Sequence, residues 1–310
     1  MKPFRTVDEM ADILRGRGMI VPDEDKILLN YHNYYCVINS YKDLFLDKTS
    51  NTEQYLEGTT IRDVVRVYEF DRNLRAFLFP WLMEIEQLLK AVISHRASEH
   101  YKDNPEFYLR TTTYSQKRTD AKHSTKTISK LKWQGKKDHP SLNHYRKRYG
   151  HIPFWVLVNN IYFGELSYFY KLLNSRAIKD AIVKDLKKLN SSPVRELTVE
   201  RLSTYIRVLA DFRNVCAHNE RCYCYKHKEV SVRGSDHANI ADILEIIETF
   251  LDSDSLKRFA NDFVELKTNF IVHSGVRVDI IDIVISSMGL PDELSATKVI
   301  DAAHRIMREK

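Results

Sequence analysis

Three observations predict an all-α fold, a helical bundle with additional helices. Only 9 Gly and 8 Pro interrupt 310 residues, below ordinary usage for either. Leu, Lys, Glu and Ile, residues at home in helices, are abundant. Residues 60–101 carry apolar side chains at spacings of three and four for some ten turns, the period of one helix face.

The elements follow in order. Thr6-Val-Asp-Glu9 has the spacing of a capping box and opens a short helix that stops near Gly16 and Gly18. A second helix is expected after Pro22, with Asp23, Glu24 and Asp25 in its first turn and the run NYHNYYCVINSYKDLF along it, aromatics that fit core packing. In the long helix from Thr60, the apolar stripe includes Val64, Val67, Leu74, Leu78, Leu82, Ile85, Leu89 and Ile93. Pro80 predicts a kink or a junction there, and Glu86 and Lys90 form an i,i+4 pair of the favourable orientation. A helix near 115–133 is followed by a polar loop through Gly135 and Pro140. Helices resume at Pro153, over 165–173 and 176–189, and again from Thr198. The last third, 237–310, reads as three or four amphipathic helices, with a strand at Val276-Arg-Val-Asp-Ile-Ile as the alternative.

Several classes lack support. No window approaches 18 uninterrupted apolar residues, so no membrane span or membrane partner is expected. The N-terminus MKPFRTVDEM has no apolar leader core, which makes the cytoplasm the expected location. Four cysteines, three of them within 216–224, do not form a secreted disulfide framework. No GxGxxG, GxxxxGK(S/T) or HExxH stretch occurs, so neither a nucleotide cofactor nor a zinc-protease centre is expected.

Charge is concentrated in one place. Residues 110–150 hold twelve Lys/Arg against Asp120 and Asp138, a local net of +10 that leaves −4 for the rest of a chain whose total is +6. Tyr114, Trp133, Tyr145 and Tyr149 are interleaved with those cations. The composition fits either a solvated linker or a face that pairs phosphates and stacks bases. On the second reading Lys117, Arg118, Lys122, Lys126, Lys130, Lys132, Lys136, Lys137, Arg146, Lys147 and Arg148 hold RNA backbone, with Trp133 and Tyr145 among them for stacking.

Residues 211–223 read DFRNVCAHNERCY. Leu202, Ile206, Leu209, Arg213 and Cys216 share one stripe, which puts a guanidinium on an apolar face where it needs an anionic partner. His218 lies about 140° around an ideal helix from Arg213. The two meet only if the helix bends or ends between them, or if a second copy completes the site across a two-fold axis. Three readings stay open: a plain helix end, a metal site using Cys216, His218, Cys222, Cys224 and His227, or a nuclease centre. The zinc reading lacks the second ligand pair that structural sites use, so no metal is expected. For RNA cleavage, histidine supplies a group that exchanges protons near neutrality, and arginine a permanent charge for the phosphate.

Five blocks in order then resemble a known family. They are KPFRTVDEMADILRGRGMIV, NYYCVINSYKDLF, GTTIRDVVRVYEFDRNLRAFLFPWLMEIEQLLKAVISHRASEHY, PFWVLVNNIYFGELSYFYKLL and LADFRNVCAHNERCY. Across residues 2–225 the chain resembles the Abi-like (AbiD/AbiF) proteins of bacterial phage abortive infection. That group resembles HEPN domains, helical bundles marked by Arg, four to six residues, then His. The resemblance implies an antiphage effector acting as a metal-independent endoribonuclease that leaves a 2′,3′-cyclic phosphate. Arg213, Asn214 and His218 would be its catalytic residues, Glu86 and Lys90 would support them, and it would work without cofactors as a homodimer. Glu86 and Lys90 serve equally well as a solvent-facing salt bridge. It also implies RNA as partner, including a cognate small structured noncoding RNA. A non-catalytic RNA-binding protein in complex with such an RNA is the alternative. The organisation expected is an N-terminal helical region (1–58), a HEPN-like core (59–109 with 151–235), the basic insert (110–150) and a C-terminal helical region (236–310), unless all form one compact domain.

Overall fold

A computed structural model describes residues 4–190, 193–227, 230, 232 and 237–291. Among them all regular structure is helical, and β pairing is confined to the isolated bridges Ile20–Thr60, Leu46–Tyr55 and Tyr114–Leu173. Helix α1 (Val7–Gly16) begins at the expected capping box, with the Glu9 carboxylate accepting the Thr6 N–H at 2.8 Å. Gly18 (φ 85°) turns the chain out of it, a conformation that costs any residue with a Cβ.

The aromatic run does not form the single helix expected after Pro22. Asp23–Lys26 is a 3₁₀ turn, α2 covers only Ile27–Tyr31, and Tyr35–Asn39 winds as a π turn. The break falls at His32, whose backbone is extended. There the Asn33 side chain accepts the Tyr35 N–H at 2.9 Å, a local bond that competes with the helical ladder.

Helix α3 (Ile61–His100) opens on a second capping box, Thr60 with Asp63. Its 40 residues span about 60 Å. Pro80 lies inside it without dividing it. A proline costs an interior helix about 3 kcal/mol. Leu74, Leu78, Leu82, Ile85 and Leu89, all fully or almost fully buried, outweigh that at roughly 1.5–3 kcal/mol each.

Helix α4 (Ala121–Gln134) and α5 (Pro140–Tyr149) follow. The second replaces the polar loop expected through Pro140. Proline at the first helical position suits a helix start, but only Leu142 of α5 is buried, so little apolar periodicity announced it. Short α6 (Phe154–Leu157), α7 (Phe163–Leu172), α8 (Arg176–Leu186) and α9 (Val199–Ala217) complete the central region. Then come α10 (Ile240–Glu248), α11 (Ser253–Thr268) and α12 (Val278–Ser287). The strand alternative at 276–281 is therefore overturned: Ile280, Ile281, Val284 and Ile285 are all buried at helical spacing. Any helix expected beyond Pro291 lies outside the described residues.

The long α3 is the axis of the fold, packed by α6, α7, α8, α9, α10 and α11. Helix α9 lies against α3, α7, α8 and α10. The C-terminal helices dock through rings, Phe77 on Phe259 at 5.0 Å and Phe70 on Phe270 of the turn after α11 at 4.0 Å. Gly289 (φ 74°) closes this end, because a Cβ there would run into the side chain of Asn239, the N-cap of α10. Buried apolar residues from Ala11 to Met288 form one contiguous cluster. Among the described residues no helix is long and apolar enough to cross a membrane.

Candidate functional site

Thr198 caps α9 by accepting the Arg201 N–H, and the stripe Leu202, Ile206, Leu209 is completely buried against its neighbours. Arg213 continues that stripe, and the anionic partner it needs is Glu86 of α3. Arg213 Nε donates to Glu86 Oε2 at 3.0 Å, and Lys90 Nζ lies 2.9 Å from Glu86 Oε1. Glu86 and Lys90 are 3% and 5% exposed, so they are a buried pair and not the solvent-facing bridge that their spacing equally allowed. One carboxylate thus serves two cations, leaving the trio with one excess positive charge. Arg213 Nη1 donates to Asn214 Oδ1 at 3.0 Å, and Nη2 has no partner among the described residues.

The carboxylate is the centre of this arrangement. Glu86→Gln leaves Lys90 buried with no counter-ion and is expected to cost about 3 kcal/mol of stability. Adding Lys90→Met should recover part of the loss, because it removes the orphaned charge. Urea unfolding of the two variants against wild type checks both expectations.

His218 stands apart from Arg213. Its N–H still bonds the Asn214 carbonyl at 3.0 Å, and it is the C-cap of α9. The next residue, Asn219, turns left-handed (φ 55°), and Glu220 N–H returns to the Val215 carbonyl at 3.3 Å. This is a Schellman closure with asparagine in the place glycine usually takes. The helix runs on from Arg213 to its C-cap His218, and among the described residues no hydrogen bond joins the exposed His218 side chain to Arg213. The chain brings together Arg213, Asn214, Glu86 and Lys90, and leaves His218 at the rim.

A second buried pair, which the sequence reading did not single out, holds the segment after His218. Asp71 and Arg75, one turn apart on α3, are 0% and 4% exposed. Arg75 Nη1 donates to Asp71 Oδ2 at 2.6 Å and to the Glu220 carbonyl at 3.0 Å, and Nη2 donates to Asn219 Oδ1 at 2.6 Å. Asp71 also accepts the Tyr41 hydroxyl at 2.6 Å and the N–H groups of Cys222 and Tyr223 at 3.0 and 2.7 Å. Burial pushes the Asp71 carboxyl up, while Tyr41, the Cys222 amide and Arg75 pull it down. With every partner a donor, the geometry is that of a carboxylate. The available signal was two charges at positions 71 and 75 within the apolar stripe of α3.

The cysteines are packing. A hydrogen bond with Cys216 and burial raise the Cys222 thiol well above its ordinary range, which keeps it neutral. His227 Nε2 lies 2.7 Å from Asp211 Oδ2. Among the described residues no three His, Cys, Asp or Glu side chains gather closely enough to hold a metal ion.

The basic segment forms α4, α5 and the turns before them. Lys117, Arg118, Lys122, Lys126, Lys130, Lys132, Lys136, Lys147 and Arg148 are exposed and free of carboxylate partners among the described residues. Lys137 is half-buried, its ammonium 4.4 Å from the Trp133 ring centre and 5.1 Å from that of Tyr162. Trp133 is 58% exposed. One expectation needs correction. Tyr114 is fully buried, its hydroxyl bonded to the Tyr108 carbonyl at 2.5 Å, so it cannot stack on a base. Arg146 is exposed but spends its guanidinium on Asn143 Oδ1 and the Gly135 and Lys137 carbonyls, and Tyr145 is half-buried against the core.

In comparisons with known proteins, a family model described as Abi-like protein matches residues 27–224, more than half of the chain. No curated protein and no solved structure matches.

Proposed function

The chain belongs to the Abi-like protein family, and from that premise we propose an abortive-infection effector that binds RNA and cuts it as a metal-independent endoribonuclease of HEPN type. The observation that carries the reading is the charge trio at Glu86. A guanidinium held at Nε by a buried carboxylate is fixed in orientation, keeps Nη2 unspent and adds one net positive charge where α9 ends. That is the equipment for gripping a scissile phosphate and for stabilising the extra charge of its transition state. His218, exposed a few residues on, takes a proton from a ribose 2′-OH. The 2′-oxygen bonds to phosphorus, the P–O5′ bond breaks, and the 5′-oxygen leaves with the proton that the histidine has taken up. The products are a 2′,3′-cyclic phosphate and a 5′-OH. Because no hydrogen bond joins Arg213 to His218 within one chain among the described residues, the active form in this proposal is a cytoplasmic homodimer in which two copies share the cleft. Asn214, hydrogen-bonded to Arg213, is the positioning residue.

End-group analysis tests this. Purified protein incubated with single-stranded RNA in excess chelator should generate cyclic-phosphate ends. Products with 3′-OH ends, or cleavage that stops with the chelator, would count against the mechanism.

A second reading, RNA binding without cleavage in complex with a small noncoding RNA, draws on the separation of His218 from Arg213 and on the exposed cations of α4 and α5. Whichever reading holds, changing Lys122, Lys126 and Lys130 together to Ala should make the negative slope of log affinity against log salt shallower by about 2, near 0.7 per phosphate contact with single strands. Filter binding from 50 to 200 mM salt reads the change.

A further inference from the structure

The face of α4 that turns towards α7 holds a concave site, apart from the arginine and histidine of α9. Lys122, Lys126 and Lys130, spaced four apart on one helix face, line a cavity of about 290 Å³ together with His123, Glu165 and Tyr168. That volume is at the small end for ligand sites and suits one base with its phosphates. The His123 and Tyr168 rings lie parallel within 15°, their centres 5.8 Å apart, and both are exposed, offering an aromatic wall.

Glu165 is the unusual member, a carboxylate only 6% exposed in a wall otherwise rich in lysine. Its Oε2 accepts the Tyr162 N–H and the Gln134 Nε2–H, each at 2.9 Å. Oε1 has no hydrogen-bond partner among the described residues. Beside it Gln134 Oε1 is buried without a hydrogen-bond partner, a second open acceptor. None of the three lysines forms an ion pair with Glu165 among the described residues.

The geometry points to a nucleotide subsite that reads guanine. It rests on the RNA-binding reading above and adds a base preference to it. The lysine row holds consecutive phosphates, the His123–Tyr168 wall stacks the base, and Glu165 Oε1 accepts from its edge. Guanine presents N1–H and N2–H₂ side by side, two donors for a carboxylate. Adenine sets a bare N1 next to its single amino group, which a carboxylate repels. Helix α7 packs on both α4 and α9, so a strand seated here is held by helices that share a packing partner with the Arg213 site.

The test uses the full chain carrying His218→Ala, so that no strand is cut, and fluorescein-labelled seven-residue uridine oligoribonucleotides with a single central G, A or U. The central G should bind on the order of tenfold more tightly than the central A. Glu165→Gln should bring G and A within about twofold. Because Glu165 also caps α7, Tyr168→Ala is the second variant; Tyr168 makes no hydrogen bond among the described residues, and its loss should weaken the G strand on the order of tenfold. Equal binding of G and A by the unaltered pocket, with strong binding of all three strands, would overturn the guanine subsite and leave RNA binding standing. Failure to bind any strand, or any structured RNA, would overturn both.

Discussion

Replacing His218 by Ala is expected to lower RNA cleavage by 100-fold or more, the usual worth of a positioned general acid or base. Stability should change by less than about 0.5 kcal/mol, as for surface residues without specific partners. The side chain is exposed and makes no hydrogen bond among the described residues, while the backbone bonds that end α9 come from the N–H groups of His218 and Glu220 and survive the substitution. RNA affinity should also stay near wild type, since the lysines of α4 and α5 are untouched. Cleavage rate, urea midpoint and RNA affinity measured together distinguish a catalytic from a structural histidine. Undiminished cleavage by a folded His218→Ala protein would exclude the nuclease role given to it. In cells expressing the protein, toxicity should vanish with the same change.

Asp71→Ala is expected to produce the largest loss of stability. It strips the counter-ion from buried Arg75 and the acceptor from Tyr41 and from the Cys222 and Tyr223 amides. Removing one member of a buried pair costs about 3–5 kcal/mol, and each orphaned buried donor adds to it, though not additively. At ~2–4 °C per kcal/mol for chains approaching this size, the melting temperature should fall by roughly 10 °C or more. The damage should be directed as well. The segment from Asn219 to Tyr223 hangs on this pair, so hydrogen exchange there should accelerate more than in α4. Cleavage should fall even well below the new melting temperature, because His218 loses its support. Asp71→Asn, which keeps one acceptor oxygen, should lie between Ala and wild type. Wild-type stability in Asp71→Ala would show that the pair is dispensable.

Much of the fold was legible because its signals are local. The starts of α1, α3 and α9 were written as Thr6, Thr60 and Thr198, each of which caps its helix through the side-chain oxygen. The long α3, with its clear apolar stripe, was found within a residue of both ends. Weakly patterned ones were not: α5 buries only Leu142, and the aromatic run around His32 broke where Asn33 bonds the backbone. The family match over 27–224 falls within the stretch whose five blocks pointed to that family.

By itself the sequence determined the helical class, the family, the position of Arg213 on an apolar face and the concentration of positive charge in residues 110–150. Each of these depends on neighbours a few residues apart. Tertiary structure alone decided which anion answers Arg213. Glu86 is 127 residues away in the chain, and its local spacing to Lys90 says nothing of a contact with Arg213. It also decided that Asp71 and Arg75 anchor the segment behind His218, and that Glu165 faces a row of lysines from another helix. Buried charges are tolerated only where packing delivers a partner, so Arg213 and the Glu86–Lys90 pair were visible separately in the sequence and their contact across two helices was not.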